Sequence, residues 1–310
     1  MGWLTLLILL GILLFNSLVI CLILSKKKKT RMSFFVGNLA IADLSLGILY
    51  VLPESLKFLG VPINIHYCYI FYVFFSMVPY YASTYAIVVL AVDRLYAITR
   101  PVSAASKGKM YKLGLCISTW VVGVVLSIQY GVVGFYDNKT NYCTHNFEGF
   151  HKLFILYFDL FVMVIIPLAI IIVCYSLIVI TIYRREKRGF IQASAKEQAD
   201  DVQSKSRNIS NAKIKTIKLL FVVVSVYLIC WLPFFIGALL FHHRMITSKA
   251  FIVLYTFAPT NSLANPLVFL LFNFQMFRRK NNGKRKIMYH SSASCATRSM
   301  YVSRTQDTDL

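Results

Sequence analysis

Residues 86–95 read Ala86-Ile-Val-Val-Leu-Ala-Val-Asp93-Arg94-Leu95. A long apolar run ends on an adjacent acid and base. The run reaches back to Cys68 almost free of charge. A charged side chain at membrane depth costs roughly 3 kcal/mol or more, so an ionisable residue there marks a functional position. An Asp-Arg pair where such a run meets water suggests a switch, in which the arginine is held by its neighbour until something releases it.

The rest of the chain has the same character. Of its 310 residues, 58% are hydrophobic and only 15% are charged, with a mean hydropathy of +0.65. Soluble domains carry about 25% charged residues. A soluble fold cannot hide this much apolar surface, so lipid covers part of it. The net charge of +21 raises nucleic acid as a partner. Its distribution argues against that, because the basic residues lie in short loops between apolar segments.

Spans of about 20 apolar residues cross a bilayer as helices. Seven are expected, at 3–24, 33–58, 68–98, 110–134, 150–183, 212–241 and 250–273. Lys26–Lys29 follow a full-length first span, which fits a retained helix and not a cleaved leader. Lys26–Lys29, Arg31, Arg100, Lys107, Lys109, Lys112, the stretch 184–218 and the tail from Arg278 share one side. That side is cytoplasmic by the positive-inside rule, which puts the N-terminus outside and the C-terminus inside. The fold class expected is an all-α, seven-helix membrane bundle over 1–273. A short interfacial amphipathic helix with its basic segment over 274–289 would lie on anionic lipid. A disordered cytoplasmic tail follows over 290–310. The stretch 184–211 reads as a flexible connector.

Of seven cysteines, only Cys68 and Cys143 fall on the expected outer side. Disulfides persist in that compartment, so one bridge is expected there. Asn138-Lys-Thr140 is a glycosylation sequon on the same side. Asn208-Ile-Ser210 has the pattern but faces the cytoplasm and is discounted.

Several polar residues lie inside the spans. Asp43 sits mid-span, and a lone buried carboxylate must be protonated, paired or metal-bound. Candidate partners are Asn16, Ser83, Asn261, Ser262 and Asn265. From chemistry alone they would serve equally as a small hard-cation site or as a neutral hydrogen-bonded cluster. Pro167, Pro233 and Pro266 interrupt spans five to seven, as hinges or as static kinks. In the outer half, Glu54 reads as one wall of a pocket for a ligand with a basic group. Asp159 fits that pocket or an interfacial carboxylate equally well.

These residues together resemble the rhodopsin-like (class A) G protein-coupled receptors over about residues 10–280. The series is Asn16, Leu39-Ala-Ile-Ala-Asp43, Cys68, Asp93-Arg94-Leu95, Trp120, Cys143, Pro167 with Tyr175, Cys230-Trp-Leu-Pro233 and Asn265-Pro-Leu-Val-Phe269. Finer stretches resemble the vasopressin/oxytocin, neuropeptide S and crustacean cardioactive peptide receptor group. They are Val51-Leu-Pro-Glu54, Tyr81-Ala-Ser-Thr-Tyr85, Ala97-Ile-Thr-Arg-Pro101 and Ala212-Lys-Ile-Lys-Thr216.

The resemblance implies a plasma-membrane receptor without enzymatic activity, an extracellular peptide ligand, a heterotrimeric G protein and arrestin. Candidate ligand contacts are Glu54, Ser76, Gln129, Asp159, Trp231, Phe234 and Phe235. The switch would comprise Asp93, Arg94, Tyr175, Asn265, Pro266 and Phe269. Asp43, Ser83, Asn261, Ser262 and Asn265 match an allosteric sodium site, which decides between the two readings of that cluster. Phe269 replaces a tyrosine of the family pattern, and Lys213 stands where some relatives place an acid. Arg94 is therefore expected to depend on Asp93 for restraint, and Asp93→Asn to raise basal signalling. Thr308-Asp-Leu310 resembles the end that PDZ domains bind, a match common by chance.

A non-peptide ligand is the nearest alternative. A transporter is further away, since no internal repeat or continuous polar pathway is visible. An intramembrane enzyme is disfavoured because the histidines lie in loops or at span ends.

Overall fold

The computed structural model describes residues 2–25, 31–62, 64–68, 74–138, 142–145, 150–194, 222 and 224–271. Long helices dominate, because a backbone in lipid must satisfy its own hydrogen bonds. Helix α1 is Gly2–Leu24, α2 is Arg31–Leu46 and α3 is Leu52–Phe58. The short α4, Ile65–Tyr67, precedes α5, Val78–Thr99, and α6, Pro101–Ser106. Then come α7, Lys109–Val133, α8, Phe150–Asp159, and α9, Ile166–Ser194. Helix α10 is Val224–His242, α11 is Ser248–Tyr255 and α12 covers 260–271.

Proline decides where these helices bend or break. A proline lacks the N–H and its ring clashes with the carbonyl four residues back. Two π-helical turns accommodate this, Gly47–Val51 ahead of Pro53 and Leu160–Ile165 ahead of Pro167. In the first, the Leu52 N–H reaches back to the Gly47 carbonyl; in the second, Ile166 N–H reaches Phe161. The five-residue step widens the helix where the ring must fit. Helices α2 and α3 thus run on as one span, Arg31–Phe58.

The third span, expected over 68–98, has π-helical residues at 68, 74 and 75 and runs on as α5 from Val78. Pro79 lies in the first turn of α5, where no donor is required. Two expectations about the spans need correction. The seventh was expected as one helix over 250–273. It is divided by a turn at 256–259 that contains Pro259. The flexible connector was expected from residue 184, but α9 continues to Ser194. Arg, Glu, Lys, Gln and Ala in that stretch are strong helix formers.

Among the described residues, six helices are long and apolar enough to cross a membrane. They are Gly2–Leu24, Arg31–Phe58, Val78–Thr99, Lys109–Gly131, Leu153–Arg185 and Val224–His242. The expected interfacial helix, the tail, Lys213 and Asn208 lie outside the described residues, as does the start of the sixth span.

Residues up to Leu267 form one unit, and Val268 begins a second. Within the first, α5 is central and packs against α2, α7 and α9, while α1 packs on α2 and α3. Ile12, Leu46, Val51, Tyr81, Ile171, Ile178, Tyr227 and Phe235 fill the core. The outward faces carry rows such as Leu7, Leu10 and Leu14, or Val121, Val125 and Ile128. These apolar rows suit lipid, not water. Helix α7 approaches α5 closely at Gly123, where a Cβ would lie 2.7 Å from the Val78 carbonyl oxygen.

Strands β1, Gly134–Asp137, and β2, Tyr142–His145, form an antiparallel hairpin with Tyr136 opposite Cys143. Cys143 is bonded to Cys68, as expected, with Cα atoms 5.5 Å apart. The hairpin is thereby tied to the chain just ahead of α5. Asn138 is exposed in the hairpin turn.

Candidate functional site

Three polar clusters thread the apolar bundle. The first lies mid-span around Asp43, which is fully buried. The Ser83 hydroxyl of α5 donates to Asp43 Oδ1 at 2.5 Å, and Asn265 Nδ2 donates to Oδ2 at 3.1 Å. Ser262 is a further side-chain partner of the carboxylate. Asn16 of α1 donates to the Ser262 carbonyl at 3.1 Å and to the Ile12 carbonyl at 3.0 Å. Asn261 is buried beside them in sequence. Ser83, Ser262 and Asn265 thus converge on Asp43 from α5 and α12, and Asn16 of α1 joins them through the Ser262 carbonyl. One carboxylate with neutral hydroxyl and amide oxygens suits a hard monovalent ion better than a divalent one. Among the described residues no group of three His, Cys, Asp or Glu gathers.

The second cluster lies toward the disulfide end. Here Glu54 and Asp159, grouped together from sequence, have different surroundings. Asp159 does not reach for water. It is buried, and three donors hold it: Tyr81 at 2.5 Å, Gln129 Nε2 at 3.0 Å and the Tyr130 hydroxyl. Gln129 also donates to the Tyr81 hydroxyl at 3.0 Å. This carboxylate cross-links α5, α7 and α8. Glu54 is buried too, with Lys57 Nζ 3.8 Å away and Tyr80 close by.

Beside Glu54 an aromatic chain runs from helix to helix. Tyr50 meets Tyr80 at a ring separation of 4.8 Å, and Tyr80 meets Trp231 at 5.7 Å. Trp231 touches Phe235 at 6.0 Å and Phe234 at 6.5 Å, and Phe234 reaches Tyr255 at 5.9 Å. The Trp231 indole N–H is buried without a hydrogen-bond partner among the described residues. Aromatic faces and one acid make a receptive surface for a cation. Ser76 is fully buried in the turn that leads into α5.

The third cluster lies at the opposite end, and it changes the reading of Asp93–Arg94. Asp93 does not hold Arg94. Arg31, at the start of α2, donates from Nε to Asp93 Oδ1 at 2.7 Å and adds a second bond from Nη2. Its Nη1 donates to the Ala104 carbonyl of α6 at 2.5 Å. Adjacent residues on a helix point in different directions, so an acid on α5 is better met by a base from another helix. Arg94 has a buried Nη2 with no hydrogen-bond partner among the described residues, and Tyr175 stands near it.

Residues 15–269 match the family described as 7 transmembrane receptor (rhodopsin family). The chain belongs to that family. It is a G protein-coupled receptor with a seven-helix, multi-pass membrane fold, and its family performs no enzymatic reaction. The receptor is 28% identical over 300 residues to the mesotocin receptor of Rhinella marina, covering 86% of this chain and 74% of that one. It is 29% identical over 276 residues to the neuropeptide S receptor of Mus musculus, covering 83% and 72%. The oxytocin receptor of Ovis aries is 27% identical over 284 residues, covering 82% and 70%. These relatives support the group expected from the finer motifs.

Sequence reasoning missed Arg31, Tyr81 and Tyr130 as site residues of the receptor. Arg31 was counted only as one more cytoplasmic charge. Its place at the inner end of the second span, beside an acid ending the third, was the available signal. The two tyrosines gave none, since a tyrosine in an apolar run reads as core.

Proposed function

We propose that the receptor binds an extracellular peptide through a basic group seated against Glu54 and the aromatic chain, and passes the signal to a heterotrimeric G protein. The observation that carries this reading is the place of Glu54, a buried acid beside Tyr80, which leads through Trp231 into the aromatic chain. Asp159, by contrast, is taken up in cross-linking α5, α7 and α8. The peptide class is drawn from the relatives, whose names are those of mesotocin, neuropeptide S and oxytocin receptors.

Trp231 sits in the middle of the aromatic chain, on α10 below Phe234 and Phe235. A ligand that presses on this chain biases α10 between two packings. Differential affinity for the two is what drives the change. At the far end, Arg94, Tyr175, Asn265 and Pro266 form the responding machinery, with the buried Arg94 guanidinium as the contact for the G protein.

Asp43, Ser83, Asn261, Ser262 and Asn265 would hold a sodium ion. The ion supplies one positive charge that offsets Asp43 and favours the packing in which these oxygens converge. Asp43→Asn is expected to abolish any sodium dependence of thermal stability in the purified receptor. An undiminished sodium effect in that variant would remove the ion from this site.

The plasma membrane is the proposed location, with the disulfide end outside. Cysteine pairing, the exposed Asn138 and the basic loops support that orientation. Arrestin, a PDZ protein and anionic lipid are proposed partners of the tail segment.

The direct test is a screen of amidated and basic peptides, read as nucleotide exchange on G protein in membranes of matched surface expression. Glu54→Gln is expected to lose responses to basic peptides selectively, by on the order of tenfold or more in potency. Equal potency on both receptors would overturn the role of Glu54.

A further inference from the structure

We propose that Arg31 is a positioning residue that keeps Asp93 occupied, leaving Arg94 unheld for the cytoplasmic partner. The inference rests on the G protein-coupling role given above to Arg94.

The geometry at the inner end is that of a clamp. One guanidinium joins three elements: α2, where Arg31 begins the helix; α5, through Asp93; and α6, through the Ala104 carbonyl. Its Cζ also lies 5.8 Å from the centre of the Tyr96 ring and 5.6 Å from that of Tyr111, so α7 is drawn in as well. Arginine suits this task because its flat fork serves several acceptors in fixed directions while its face rests on aromatic rings. The Asp93 side chain is only 3% exposed, which removes the screening that makes surface ion pairs weak.

Within such a site the pairing is a choice between two cations. Asp93 can be met by Arg31 or by Arg94, the next residue along. Both lie near it, and Arg94 senses the charges of Asp93 and Arg31 together. The structure gives the carboxylate to Arg31. Arg94 is therefore repelled by Arg31, attracted by Asp93 without a hydrogen bond to it, and left with a buried Nη2 that has no hydrogen-bond partner among the described residues. A buried donor without an acceptor is costly, and an acceptor offered by a docking protein would relieve that cost. Removing Arg31 leaves a buried acid uncompensated, and the nearest remaining base is Arg94. The predicted consequence is a restraint on Arg94 that the native receptor lacks.

This makes an epistatic prediction that a purely structural clamp does not. The probe is purified, nucleotide-free heterotrimeric G protein, titrated against full-length receptor in nanodiscs without ligand. Arg31→Ala is expected to weaken complex formation on the order of tenfold. Adding Asp93→Asn to it is expected to restore most of that loss, because no acid remains to capture Arg94. Arg31→Lys should fall between wild type and Arg31→Ala, since it retains the charge but not the fork. If the double variant stays as weak as Arg31→Ala, or Arg31→Ala binds like wild type, the proposal is overturned.

A second measurement needs no G protein. Thermal unfolding of the two single variants and the double variant should be non-additive, as expected for directly paired groups. Additive shifts would overturn the pairing itself. Failure of the wild type to bind any G protein, with the unfolding cycle still non-additive, would instead fault the coupling role of Arg94.

Discussion

Asp159, which the sequence leaves open between a ligand pocket and an interfacial carboxylate, is buried among donors of the protein itself. Its three donors come from Tyr81, Tyr130 and Gln129. Asp159→Ala removes the acceptor that all three share, although Gln129 keeps the Tyr81 hydroxyl, and a buried donor left unmet costs about 1–3 kcal/mol. A fall of roughly 1–3 kcal/mol in stability is expected, measured by thermal unfolding of the purified receptor. Asp159→Asn should cost much less, since an amide oxygen still accepts. The motif residues Asp43, Ser83 and Asn265 were legible in the sequence because intramembrane polar groups are few and must find one another. Their convergence follows from that scarcity. The partner of Asp93 was not legible, because an arginine at a span end reads first as a topology signal. Its pairing depends on how α2 and α6 pack against α5. With Arg31 in that place, Asp93→Asn loses the expected route to higher basal signalling through release of Arg94.

Helix boundaries depended on proline, and the sequence indicated its positions better than its effects. Pro53 and Pro167 both follow π turns that keep the span continuous. Pro79 opens α5, and Pro259 falls in the turn ahead of α12. The same residue type therefore widens, starts or divides a helix. Which effect it has depends on whether the local chain can widen the helix or must surrender a hydrogen bond. The contact between α5 and α7 rests on glycine. A valine at position 123 would drive its Cβ into the Val78 carbonyl, for which neither backbone can easily yield. Gly123→Val is expected to destabilise the receptor by about 1–3 kcal/mol, as overpacking does. Gly114 has open space around it, so Gly114→Ala should leave thermal stability near wild type. The hairpin and its disulfide form another such element. Cys143→Ser frees a loop closed over 75 residues and should cost about 2–5 kcal/mol, seen as reduced surface expression and a lower melting temperature.

Across the whole molecule, Glu54 and its aromatic neighbours at one end, Asp43 in the middle and Arg94 at the other end lie along the central helices. Membrane class and orientation were legible from apolar length and loop charge, because the bilayer constrains both. The division of labour among the buried acids was not, since it is set by packing between helices distant in sequence. The measurement that tests the reading most directly is peptide-stimulated nucleotide exchange on heterotrimeric G proteins, compared between the native receptor and Arg94→Ala. At least one peptide should stimulate exchange on the native receptor, and Arg94→Ala at matched surface expression should lose on the order of tenfold or more of that response. A broad peptide library that stimulates no G protein, together with an Arg94→Ala variant whose basal exchange equals that of the native receptor, would contradict it.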